Sequence, residues 1–181
     1  MPELESGVAE RAGQEALRHP LRELFADFEA TPLAAASIAQ VHRATLHSGE
    51  AVAVKIRRPG IGAAIEADLA VMSDLAALAE RYVADANQYT IDLVEGFARK
   101  IRREQDLVRE GRLVARVASQ FAGDPTVRYP AICWRLTTAA VFTMEFLDGV
   151  KVSSVARGEV PDLTRESWHN AQPTSCSGRF S

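Results

Sequence analysis

Cysteine is scarce in this sequence. Only Cys133 and Cys176 occur among 181 residues. They form no metal-type cluster and no disulfide framework, so a reducing, cytoplasmic setting is the expectation. Excess positive charge is missing too. A net charge of −3 argues against a nucleic-acid partner, since such binders are usually basic. No stretch nears the roughly 18 apolar residues of a membrane span. The opening MPELESGVAE is acidic and polar, unlike a signal peptide. What is present is globular in kind: 47% hydrophobic and 25% charged residues, in a length that suits one domain with a real core.

Periodicity then divides the chain. Val8 to Leu17 reads as a helix. A short second helix follows His19-Pro20, with Leu21, Leu24, Phe25 and Phe28 at helical spacing, and Thr31-Pro32 breaks it. Ala39 to Leu46 and Ala51 to Arg57 read as a hairpin around His47-Ser48-Gly49-Glu50. Ile65, Leu69, Met72, Leu75 or Ala76, Ala79 and Val83 mark one face of a long helix. A second long helix is expected from Thr90 to Ala118, with Val94, Phe97, Ile101 and Val108 as its stripe and Gly123-Asp124-Pro125 as its end. Two short strands follow, over 131–136 and 141–146. Residues 159–181 have no period and read as an unstructured tail. The expected organisation is a helical segment over 1–30, a mixed lobe over 31–158 and the tail over 159–181.

Alternation sorts the strand Ala51–Arg57. Val52, Val54 and Ile56 face one way; Ala53, Lys55 and Arg57 face the other. A small residue beside a lysine leaves room for a flat ligand and sets an ammonium near it, as a phosphate-gripping lysine requires. A half-exposed strand with solvated Lys55 and Arg57 is the plainer alternative. A glycine-rich lid is lacking upstream. Ala34-Ala35-Ala36-Ser37 stands there instead, small enough for close backbone approach and stiffer than glycine, though three alanines also suit a helix start. The second long helix holds acids. Glu104 falls on the apolar stripe, where a carboxylate is costly unless paired, and Asp106 and Glu110 are four apart. Lys55 is one available cation; Arg102, Arg103 and Arg109 could instead satisfy the acids locally.

PLAAASIAQVHRATLHSGEAVAVKIRRPGI, EQDLVREG and GDPTVRYPAICWRLTTAAVFTMEFLDGVKV together resemble the UbiB/AarF atypical kinase family, over about Leu21 to Val155. The resemblance implies an α+β fold similar to a protein-kinase N-lobe, a small antiparallel sheet with long family-specific helices. It implies that Ala34, Ala35, Ala36 and Ser37 form the nucleotide lid, with Ala53 and Lys55 at the nucleotide and Glu110 paired to Lys55. Glu104 and Asp106 match the family's acidic E-x-D element. Met144, Glu145, Phe146 and Leu147 look like the hinge whose backbone would meet adenine. ATP with Mg2+ is the implied ligand set. The implied setting is isoprenoid quinone (ubiquinone-type) biosynthesis or lipid metabolism, with a membrane surface or lipid- and quinone-biosynthesis proteins as partners, a peripheral place at the membrane, and ATPase activity ahead of protein phosphorylation.

The sequence also departs from that family. Arg11-Ala12-Gly13-Gln14 has arginine first and lies too close to the alanine loop to match K-x-G-Q. Leu113 stands where the family has asparagine. Neither an H-x-D-P-H-P-G-N stretch nor a D-F-G-like metal aspartate occurs, so the C-lobe is missing from the expected fold and no metal ligand is assigned. A truncated or frame-shifted reading frame would give this pattern. Two functions therefore compete: the nucleotide-binding part of an atypical kinase or ATPase, and a catalytically inactive fragment acting as a binding module.

Overall fold

In the computed structural model, residues 7–82 and 89–149 are described. The expected tail over 159–181, Val83 and Cys176 lie outside them. The framework is a four-stranded antiparallel sheet in the order β1-β2-β3-β4, from Phe25–Ala35, Ala39–Leu46, Ala51–Arg57 and Val141–Glu145. It is an α+β, kinase-like N-lobe arrangement. Five helices accompany it among the described residues: α1 (Val8–Leu17), α2 (Leu21–Leu24), α3 (Ile61–Tyr82), α4 (Tyr89–Glu104) and α5 (Leu107–Gln120).

The two central strands follow directly from alternation. Gln40, His42, Ala44 and Leu46 of β2 are buried, as are Val52, Val54 and Ile56 of β3. These side chains share one face, which α1 and α2 cover. The core there joins Leu21, Phe25, Ala44, Leu46, Val52, Val54, Ile56 and Val141, with Ala12, Ala16 and Leu17 packed on it. Gly13 lets α1 approach, since a Cβ there would lie 3.1 Å from Ile56 Cδ1. Cys133 also lies in this core and is not a free thiol.

Three expectations need correction. The helical spacing of Leu21, Leu24, Phe25 and Phe28 does not carry through. The helix ends at Leu24, and Phe25 turns extended, with φ −126° and ψ 139°. Phe25 pairs with Leu46 and Phe28 with Ala44, so strand pairing against β2 overrides the local pattern. Pro32 does not end the element, because β1 is an edge strand and tolerates a missing N–H. Residues 30 and 31 both lie within β1.

The second long helix is in fact two. It breaks at Gln105-Asp106, where the Asp106 carboxylate accepts from the Val108 N–H at 3.0 Å and caps α5. The break is tied to the sheet. Arg57 Nη1 donates to the Gln105 carbonyl at 3.0 Å, and the Leu107 N–H donates to the Ala139 carbonyl at 3.2 Å. Glu104 stays in line with Phe97 on α4, but that line faces outward: both are exposed, while Ala98 and Leu107 are buried. On α3 the expected face holds at Leu69 and, of the two alternatives, at Ala76, both buried, but Met72 on that face is 37% exposed.

The third correction concerns 131–136. It is not a strand but a single bridge, Ile132 to Met144, followed by a 3₁₀ turn at Trp134–Leu136. Thr137 and Thr143 take up the backbone there. Thr137 Oγ1 donates to the Cys133 carbonyl at 2.9 Å, and Thr143 Oγ1 donates to the Leu136 carbonyl at 2.7 Å.

α5 sits on the other face of the sheet. A Cβ on Gly111 would lie 3.2 Å from Phe142 Cε2 and 3.3 Å from Trp134 ring atoms. Gly111→Val should therefore overpack this contact and cost about 1–3 kcal/mol. Urea unfolding is the measurement: a lower midpoint at unchanged slope is expected, and an unshifted midpoint would show that α5 yields at no cost.

Candidate functional site

One row of cross-strand partners organises the face opposite the core. Ala34 of β1 is opposite Val41, Val41 is opposite Lys55, and Lys55 is opposite Phe142. Neighbours in such a row share a face. The alanine tip, the lysine and the strand leading to the proposed hinge are thereby aligned on the side that α5 approaches. Ala53, two residues before Lys55, lies buried on this same face.

Lys55 meets Glu110 across this space. Its Nζ lies 2.8 Å from both carboxylate oxygens. The two side chains are 21% and 38% exposed, so the pair is neither dry nor fully solvated. β3 fixes the lysine, the first turn of α5 supplies the glutamate, and the Gly111–Phe142 contact sets the gap between them.

Ala34 and Ala35 end β1, and Ala36 with Ser37 forms the exposed tip before β2. They do not start a helix. The tip is pinned at its base: the Ala36 N–H donates to the Ala39 carbonyl at 2.8 Å, and Arg58 Nε donates to the Ala36 carbonyl at 3.2 Å. Among the described residues Arg18 is the one non-glycine with positive φ, so the tip turns without left-handed backbone. Alanine is conformationally sufficient there.

The acids separate. Asp106 is engaged as the cap of α5, and exposed Glu104 ends α4. With Glu110 they line a groove of about 710 Å³ between α4 and α5, beside Arg103 and Arg109. Lys55 does not line it, so of the three acids only Glu110 is paired with the lysine.

The expected hinge is more committed than its sequence suggests. Met144 pairs with Ala53 inside the sheet. The Glu145 N–H donates to the Ala131 carbonyl at 2.7 Å, and the Phe146 N–H donates to the Ala51 carbonyl at 3.0 Å. The Glu145 carboxylate is bonded to Arg128 and accepts from the Ala131 N–H. Arg43 lies 4.8 Å over the Phe146 ring, and Leu147 is half-buried. Sequence reasoning missed these supports, together with Arg58. The basic run Arg57-Arg58 before Pro59-Gly60 was the available signal.

Comparison with known proteins agrees with the fold. A family model described as the ABC1 atypical kinase-like domain matches residues 1–171. An uncharacterized protein of Synechocystis, sll0095, is 38% identical over 157 residues, which is 84% of this chain and 28% of that protein. A solved structure of an Rv3197–erythromycin complex from Mycobacterium tuberculosis superposes with a TM-score of 0.74 at 28% identity, covering 88% of this chain and 40% of that one. The chain thus spans well under half the length of both.

Two measurements probe the site's construction. Asp106→Ala should cost about 1 kcal/mol of stability, while Asp106→Asn, an equally good cap, should stay within a few tenths. Equal losses in thermal melts would show that charge, not capping, is what Asp106 contributes. Glu110→Ala should cost about 1 kcal/mol or less, because the pair is partly solvated. A loss of about 3–5 kcal/mol would mark it as behaving like a buried pair instead.

Proposed function

This chain belongs to the ABC1 atypical kinase-like family, and from that premise we propose that it forms the nucleotide-binding lobe of a UbiB-type kinase or ATPase. The carrying observation is the row Ala34–Val41–Lys55 with Glu110 closing on the lysine at 2.8 Å. An ammonium held by a carboxylate keeps one orientation. When a polyphosphate arrives, it can turn toward the phosphate oxygens while the carboxylate limits its freedom. The alanine tip supplies a thin wall above it, and Ser37 adds a hydroxyl. Buried Ala53 leaves room beside Lys55 for the flat base.

The hinge residues contribute to this reading in a restricted way. With the N–H groups of Glu145 and Phe146 already engaged and Met144 paired in the sheet, base recognition would fall to the carbonyl oxygens of Glu145–Leu147 and to the Leu147 N–H. Magnesium is different. Among the described residues no group of three or more histidine, cysteine or acidic side chains could hold a metal ion. A magnesium ion arriving with the nucleotide would therefore be held on this lobe mainly by phosphate oxygens and water.

Quinone or lipid metabolism as the setting, and a membrane surface or lipid-pathway proteins as partners, rest on the family resemblance. No helix among the described residues is long and apolar enough to cross a membrane. Contact with a bilayer would then be peripheral in this part of the molecule.

The test is titration of a fluorescent ATP analogue into the purified chain, with Lys55→Ala alongside. The substitution should weaken binding at least about tenfold, or ~1.4 kcal/mol. Equal affinity of parent and variant, or no binding by the parent, would overturn the proposal.

A further inference from the structure

His42 lies in the core at 1% exposure, yet it is polar. Its ring stacks on Phe28, with centroids 5.1 Å apart and planes at 24°. Nδ1 is 2.9 Å from the Glu29 carbonyl oxygen. A carbonyl only accepts, so Nδ1 carries the proton. The other nitrogen, Nε2, is buried and has no hydrogen-bond partner among the described residues. An apolar side chain would fill this volume without leaving a buried atom unsatisfied. The hydrogen bond to Glu29 is what the histidine adds.

That bond falls at a defect in β1. Phe28 is opposite Ala44, and the next partnered residue, Pro32, is opposite His42. Residues 29 to 31 on β1 thus face residue 43 alone on β2, so β1 carries two extra residues. Such bulges redirect a strand. Burial cannot set the register beyond this point: in β1 only Phe25 is buried, and most residues after it are exposed. A strand exposed on both faces slips easily. It is also an edge strand, so no second neighbour holds it. Beyond the bulge, one further register shift between Pro32 and Ala34 precedes the partners Ala34–Val41 and Ala35–Gln40, which set where the alanine tip sits relative to Lys55.

We infer that His42 is a positioning residue: through the Glu29 carbonyl it locks the two-residue bulge of β1 and so fixes the register of the Ala34–Ser37 tip over Lys55. The register claim stands on geometry alone; its consequence for nucleotide rests on the function proposed above. Three substitutions separate the bond from the packing. His42→Phe keeps the ring and loses the donor. His42→Asn places an amide nitrogen on Cγ, where Nδ1 is attached. His42→Gln places it one bond further out.

Hydrogen exchange in the whole chain reads the outcome, comparing the Ala36 amide with the Val54 amide in the sheet centre. In His42→Phe the Ala36 amide should exchange faster by about tenfold or more, with Val54 little changed. His42→Asn should restore protection, and His42→Gln should not. If the phenylalanine variant fails to fold, the asparagine–glutamine contrast decides alone. Unchanged Ala36 exchange, parallel loss at Val54, or equal behaviour of the asparagine and glutamine variants would overturn the inference. Nucleotide titration of the same variants should show weaker binding only where Ala36 is deprotected. If the parent binds no nucleotide while Ala36 still follows His42, the function proposal fails and the positioning role stands.

Discussion

The Lys55–Glu110 contact orients two units that the Gln105, Leu107 and Gly111 contacts already hold together. One is a sheet whose inner face is closed by α1 and α2. The other is α5, which touches the sheet closely at one glycine. Opposite charges 2.8 Å apart in a partly solvated gap add little to stability. Their value lies in orientation. The lysine cannot leave the face of the sheet without giving up both carboxylate oxygens, and the helix cannot rotate without moving them.

Much of the sheet was legible beforehand. In Ala39–Leu46 and Ala51–Arg57 alternation, turn residues and β-branched side chains agree, and both strands have the expected bounds. The same alternation put Lys55 opposite the apolar face, and that face is the one buried. α1 was equally plain, with the expected limits. The family motifs pointed to Glu110 as the partner of Lys55, and these two residues do meet. In these segments local and long-range preferences coincide.

Where they diverged, tertiary structure won. Phe25 and Phe28 fit a helix period, but an unpaired β2 edge offered them a ladder. The run from Thr90 to Ala118 lacks glycine at the break and carries good helix formers across it. Nothing local announces a stop except an aspartate that also reads as a member of an acidic motif. The reason for the break lies elsewhere, in Arg57 and Ala139, which take up the freed backbone groups. His42 hid for a similar reason. A histidine in a strand suggests neither burial nor a role, and the bulge it serves involves residues whose pairing no local pattern reveals.

Two glycines grip the sheet from opposite sides. Gly13 brings α1 against Ile56 of β3, and Gly111 brings α5 against Phe142 of β4. Ile56 is partnered with Val141, the residue next to Phe142, so the two pressures bear on nearly the same spot. Strands pressed at one place from both faces cannot bend or shear there without a clash. β1 feels neither pressure and has water along most of its length. The lobe is therefore mechanically lopsided, a stiff anvil of β3 and β4 carrying a compliant outer strand. Strain on the outer strand therefore need not reach the charge pair held between β3 and α5.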